Sequence, residues 1–277
     1  MRKRRGLTLS QVLIGALGIF IALLFTLPML WFIFAPFNST VSLKVAIPQQ
    51  FTLDNFQVAF GNEIAMRALF VNSVIIGGGA MVGTAIIAAM AAYGISRGNL
   101  PGRQIFTTVL ILFSSVVTGT ASMIPIFLLI FSMGLIDTHL GVILVMIGGL
   151  LPAGIFIVID FVDGVPRSYE EAAMISGASP FALFRDITFP LIRPGLMVVG
   201  IWALVNAWGS FLTPFILLRD PLKVPAAVAF YVFYDPEGTP NIKLVAAYAV
   251  LYTIPVVLMY LLVNWRYGFS FFGGIKR

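Results

Sequence analysis

Six apolar runs, none containing Asp, Glu, Lys or Arg, decide what this chain can fold into. They are Val12 to Phe34, Phe70 to Ile95, Ile105 to Gly134, Leu140 to Ile159, Gly195 to Leu218 and Leu244 to Asn264. A helix needs about 20 residues to cross a hydrocarbon core about 30 Å thick, so each run is long enough for one crossing. With 60% hydrophobic residues and 25 Phe in 277, the chain is too apolar for an ordinary soluble domain. The expected fold class is an all-α integral membrane protein, with residues 1–277 forming one domain of six transmembrane helices. The first run follows Arg2, Lys3, Arg4 and Arg5 with no small-residue cleavage site after it, and reads as a retained span rather than a removed signal peptide.

Basic residues set the orientation. The N-terminus, the segment of Arg97 and Arg103, the loop of Arg167, Arg185 and Arg193, and the tail with Arg266, Lys276 and Arg277 hold 12 Lys and Arg; the opposite side, with Lys44, Arg67, Arg219, Lys223 and Lys243, holds 5. Both termini and the loop at about 160–194 are therefore expected in the cytoplasm. Ala35 to Leu69, the turn at Asp137 to His139, and Arg219 to Lys243 face outward, the two longer loops punctuated by Pro36, Pro48, Pro221, Pro225, Pro236 and Pro240.

Several kinds of chemistry are excluded or weakened. Without cysteine there are no disulfides, iron–sulfur clusters or thiolate metal sites, and the single histidine, His139, argues against zinc or haem. The net charge of +6 is explained by loops beside spans, so nucleic acid is not an expected partner. "GGAMVGT" at Gly78 to Thr84 lacks the Lys of a phosphate-binding loop and lies inside a span. Asp160 and Asp163 lack the downstream acids of a metal cage and read as acids at a helix end. No nucleophile and base can be paired, and uncharged spans lack the ionisable relays of proton-driven carriers. Sodium coupling through backbone carbonyls stays open.

Within the spans, Gly79 and Gly83 with Ala80, Thr84, Ala88 and Ala92 form a small face at a spacing of four. It suits close packing, either within this chain or against a second subunit. Pro28, Pro125, Pro214 and Pro255 allow kinks.

The loop "EEAAMISGASPFALFRDITFPL", Glu170 to Leu191, is polar where its surroundings are not. Pro166 opens a helix that Gly177 interrupts; Ser179 followed by Pro180 reads as an N-cap and first helical residue, and Pro190 closes the second helix. Phe181, Phe184 and Thr188 share one side of it, and Ala172, Ala173 and Ile175 lie beside the acidic pair Glu170 and Glu171. A hairpin lying on lipid would carry excess Lys and Arg. Asp163, Glu170, Glu171 and Asp186 outnumber Arg167 and Arg185, which favours a protein partner.

These residues resemble the EAA loop of binding-protein-dependent ABC importer permeases of the sugar type. Glu171, Ala172, Ala173 and Gly177 occupy the motif positions, with Ile187 and Pro190 at its end; Ser176 stands where Asp is common. "FTLDNFQVAF" (51–60), "NSVIIGGG" (72–79), "GLIDTHLGVIL" (134–144) and the tail "FSFFGGIKR" extend the resemblance, the last to the smaller, second permease subunit of the maltose transporter. The resemblance implies a type I importer permease fold in a bacterial or archaeal cytoplasmic (inner) membrane. It implies a coupling helix that docks on an ATPase through Glu170, Glu171, Ala172, Ala173, Gly177, Ala178, Ser179, Phe181 and Phe184. The implied partners are a second, different permease, two cytoplasmic ATPase subunits, an extracytoplasmic solute-binding protein and the lipid bilayer. This chain is then non-catalytic and holds no cofactor, ATP and Mg being bound by the ATPase subunits.

In the fifth run, Asn206, Trp208, Phe211 and Thr213 of "NAWGSFLTP" suit a path for sugars, which present apolar faces and hydroxyls. The family often has Asn and an acid after this Trp, where Gly209 and Ser210 stand here. Carbohydrate, polyol and glycerol phosphate importers share these loops. A carrier or channel working alone would leave the polar loop without a purpose, and a membrane enzyme would need a polar cluster that is not visible.

Overall fold

The computed structural model describes residues 9–39, 50–98, 101–117 and 120–267. The basic N-terminal run, Lys44, Pro48 and the tail "FSFFGGIKR" lie outside the described residues. The longer helices in chain order are α1 (Leu9–Phe34), α2 (Asp54–Gly61), α3 (Glu63–Arg97), α4 (Arg103–Val117), α5 (Met123–Ser132), α6 (His139–Asp163), α7 (Arg167–Ile175), α8 (Pro180–Leu191), α9 (Arg193–Gly209), α10 (Leu212–Leu217), α11 (Ala226–Ala229) and α12 (Ile242–Tyr267). Among the described residues there is no β-strand beyond two isolated bridges, Asn38 with Phe51 and Tyr234 with Pro240.

Among the described residues, Glu63–Arg97, His139–Asp163 and Ile242–Leu262 within α12 are each apolar and long enough to cross a membrane. A fourth is counted if α8 and α9, bent by 75°, are taken as one span. Two of the six expected runs are not single helices. The run from Ile105 to Gly134 is shared between α4 and α5, with a 3-10 turn at Thr120–Ser122. Small and hydroxyl-bearing residues there offer the backbone alternatives to helical bonding. The run from Gly195 to Leu218 breaks at Ser210, where ψ is 121°. Pro214 lies four residues on, and a proline ring both clashes with the carbonyl at that spacing and leaves it without a helical donor.

The chain forms two compact units. In the unit made of residues 1–63 and 230–277, α12 packs against α2 and α1. Phe37 stacks on Phe51 with ring centroids 4.7 Å apart. Asn55, in the segment "FTLDNFQVAF", donates to the carbonyls of Pro36 (2.8 Å) and Asn38 (3.1 Å).

The unit made of residues 64–229 is built on α3, which packs along α6 and α9. A Cβ on Gly79 would overlap Ile143, and one on Gly83 would overlap Ile147. The small face of α3 is thus used within the chain, against α6. Gly154 of α6 returns the fit by lying against Thr84 and Ala88. Toward the C-terminal ends of α3 and α6, Ala88, Ala89, Ala92, Ile155, Val158 and Val162 form a buried cluster that Ile192 and Val199 complete.

Candidate functional site

The hairpin of α7 and α8 projects from this cluster, and its turn follows from local chemistry. Gly177 adopts φ +85°, which side-chain-bearing residues disfavour. Its N–H donates to the carbonyl of Met174 (2.9 Å), and that of Ala178 donates to Ala173 (3.1 Å). This pair of bonds is the Schellman ending of a helix, satisfying carbonyls that α7 would otherwise leave open. Two residues on, the Ser179 hydroxyl accepts from the Ala182 N–H (3.3 Å), with Pro180 as the first helical residue. Within α8, Leu183–Thr188 is a π turn; such wide turns redirect side chains and recur at functional sites.

One side of the hairpin is anchored. Glu170 is 6% exposed. The Arg97 Nε, at the end of α3, lies 3.0 Å from both of its carboxylate oxygens, and the Thr188 hydroxyl donates to it at 2.8 Å. Arg97 also donates to the carbonyl of Val165 (2.8 Å). Beside it, Asp163 accepts from Ser96 and Arg103. Phe184 rests on Tyr93 of α3, ring centroids 5.1 Å apart. The other side is open. Glu171, Ala172 and Ser179 are exposed, Ala173 and Ala178 half-buried. Ile175 is 90% exposed and Phe181 64% exposed, and Tyr169 and Met174 are exposed as well. The open side thus presents apolar side chains together with the Glu171 carboxylate.

Of the expected docking residues, Glu171, Ala172, Ser179 and Phe181 thus lie at the surface, whereas Glu170 and Phe184 turn inward. Sequence reasoning set Arg97 among the cations that orient the chain and Thr188 on the side of Phe181 and Phe184, without seeing that both hold Glu170.

A second polar cluster holds the segment after α10. Asp137, at φ +58°, accepts from the N–H groups of Arg219 (3.0 Å) and Asp220 (3.1 Å) and from Lys223 Nζ (2.7 Å). The Lys223 ammonium, followed by those two backbone donors, holds the Asp137 carboxyl down at about 2 against an ordinary 3.8. His139 Nε2 lies 2.9 Å from the carbonyl of Lys223. Asn72 donates to the carbonyls of Leu222 (2.8 Å) and Val224 (2.9 Å), and the Ser73 hydroxyl accepts from the Ala226 N–H (2.8 Å). Every one of these contacts pins the 219–226 segment to α3, to the turn before α6 or to the first residue of α6. Sequence reasoning set His139 and Asp137 side by side without seeing their common partner, because Lys223 lies some 85 residues away.

The four expected path residues are not gathered on one surface. Asn206 is exposed and donates back to the Trp202 carbonyl one turn earlier (2.8 Å). Trp208 and Thr213 are buried, and Phe211 stacks on Phe215, ring centroids 5.1 Å apart.

Comparison with known proteins gives one consistent picture. The family described as "Binding-protein-dependent transport system inner membrane component" matches residues 81–270. The galactooligosaccharides transport system permease protein GanQ of Bacillus subtilis is 28% identical over 250 residues, covering 88% of each chain. The trehalose transport system permease protein SugB of Mycobacterium tuberculosis is 30% identical, covering 87% of this chain and 88% of its own. Among solved structures, a chain of a bacterial ABC transporter importing the acidic polysaccharide alginate superposes with a TM-score of 0.76 at 21% identity, covering 95% of this chain and 99% of its own. A second alginate transporter structure, in complex with a periplasmic protein bound to an alginate pentasaccharide, gives a TM-score of 0.62 at 16% identity, covering 92% of both chains. Both structures share the fold.

Proposed function

The chain belongs to the binding-protein-dependent transport system inner membrane component family, and from that premise we propose that it forms half of the translocation path of an ATP-driven importer for an oligosaccharide or related carbohydrate. The observation that carries the reading is the α7–α8 hairpin, which lies inside the matched span and combines an anchored side with an exposed side of Glu171, Ile175 and Phe181. Such a surface suits a cleft on a cytoplasmic ATPase. Two ATPase subunits, binding ATP and Mg, would supply the energy; this chain would supply no catalysis of its own. Closure of those subunits would draw the hairpins together and exchange inward for outward access, a rigid-body switch.

Around that premise the fuller arrangement is residues 1–277 acting as one permease domain in the cytoplasmic membrane. It would have six spans, both termini in the cytoplasm, a different permease as its membrane partner and a solute-binding protein outside. The galactooligosaccharide and trehalose names of its relatives support a carbohydrate solute. Asn206, Trp208, Phe211 and Thr213 are proposed for the path, with Asn206 the residue of the four already exposed.

The test is to recover the tagged chain from its native membranes in mild detergent and count what accompanies it. One copy of a second permease and two ATPase subunits are expected. Recovery of the chain alone, with solute flux after reconstitution without ATP, would instead identify an autonomous carrier or channel.

A further inference from the structure

Helix α7 carries much of the exposed docking side, yet Glu170 is the one residue of its nine that is buried. That single carboxylate is held from two other segments, by Arg97 of α3 and by Thr188 of α8. The same guanidinium holds Val165, between α6 and α7. Next to it, Asp163 at the end of α6 is bonded to Ser96 of α3 and to Arg103 at the start of α4. The ends of three helices and both arms of the hairpin therefore converge on one ionic cluster. By contrast, the covalent route from α6 to α7 is Gly164, Val165 and Pro166, which are not helical. A link of that kind transmits a pull along the chain but leaves α7 free to swivel.

We propose that Arg97, Glu170 and Thr188 are positioning residues of the transport cycle: they make α7 and α8 one body with the end of α3, so that a displacement applied at Glu171, Ile175 and Phe181 is delivered to α3 and α6 instead of being absorbed at Gly164 to Pro166. The proposal rests on reading the hairpin as the ATPase-docking element. Its physical basis is that separating a buried ion pair leaves each charge unpaired where it is poorly solvated, so the joint resists bending. The Thr188 hydroxyl extends the same constraint to the far arm.

The chain has no cysteine, so paired labels can be placed on it cleanly. Spin labels at Ser168→Cys on α7 and Met90→Cys on α3, both exposed positions, report the distance across the joint in the complete transporter recovered with its partners. The measurement is made without nucleotide and after trapping with ATP, Mg and vanadate. With the native joint, the distance distribution is expected to stay equally narrow in both states. In Arg97→Gln/Glu170→Gln, which leaves neither charge orphaned, trapping is expected to widen it about twofold while ATP hydrolysis continues. Thr188→Val, which removes one hydroxyl, is expected to widen it less.

A shift on trapping in the native protein would overturn the proposal, because α7 would already be swivelling. So would a distribution that stays narrow in the double variant. Loss of the ATPase subunits from the double variant would also overturn it, reducing the cluster to a support for the docking surface. Recovery of the unsubstituted chain without ATPase subunits would refute the docking reading itself, before any label is introduced.

Discussion

Substitution of Gly177 tests the shape of the hairpin with little interference from packing. A Cβ built there meets no atom within 4 Å, so the cost of a side chain is confined to the backbone at φ +85°. For an L-residue with an ordinary side chain, that conformation costs about 1–2 kcal/mol. Asn tolerates it better, because its short polar side chain bonds locally, and a β-branched residue tolerates it worst. At about 1.4 kcal/mol per factor of ten, Gly177→Ala should open the turn roughly 5- to 30-fold more often. Gly177→Asn should do so less, and Gly177→Val more. Hydrogen exchange measured by mass spectrometry over residues 171–184 reads this directly. The amides of Gly177 and Ala178, bonded to Met174 and Ala173, should lose protection in the order Gly, Asn, Ala, Val. Coupling of ATP hydrolysis to solute uptake should fall in the same order. Equal protection in the Gly and Val proteins would show that the left-handed turn is not what shapes the hairpin, and the reasoning would fail.

Ser179→Ala removes the N-cap of α8 and should cost about 1 kcal/mol of local stability, seen as faster exchange at Ala182 with the rest of α8 unchanged. Asp137→Asn removes a charge-assisted contact to Lys223 that solvent partly screens, and thermal unfolding in detergent at pH 7 should show a small drop in melting temperature. Because the folded carboxyl is held at about 2 and its ordinary value is 3.8, this contribution is complete above about pH 4 and is lost as pH falls toward 2. The gap between the two proteins should therefore close over that window, and a gap that persists at pH 2 would show that the ionised carboxylate is not its source. Gly83→Leu places a side chain where Ile147 lies and should destabilise by about 1–3 kcal/mol. Ile147→Ala in the same chain should recover part of this, which a difference in melting temperature would reveal.

How much could be read from the sequence depended on the range of the interaction. The ending of α7 at Gly177 and the start of α8 at Ser179–Pro180 are matters of a few neighbouring residues, and the spacing of Gly, Ser and Pro signalled both. The breaks at Thr120–Ser122 and Ser210 were missed because hydropathy averages over a window and is indifferent to where the helical bonds stop; Pro214 was the local signal for the second. The inward turn of Glu170 was illegible for a different reason. Adjacent acids look alike in sequence, and which of the two is buried is set by Arg97, 73 positions earlier, and Thr188, 18 later. The clamp on residues 219–226 is likewise assembled from Asn72, Asp137 and His139, brought together only by the packing of α3, α6 and α9. Hydrophobic patterning therefore found the apolar runs but not where helices break within them, local chemistry found the hairpin turn, and the long-range ion pairs were visible only in three dimensions.

The 75° angle between α8 and α9 also has a mechanical meaning. The two helices meet at Ile192, fully buried among Ile159, Val162 and Val165, which gives the pair the geometry of a bell crank on an apolar fulcrum. In such a geometry a push along the short arm would emerge as a tilt of the long one. At about 1.5 Å per residue, α9 is an arm of about 25 Å, so a tilt of about 10° sweeps its far end sideways by about 4 Å. That throw is close to the width of a side chain, and it arrives near Gly209 and Ser210, where the helix is already interrupted.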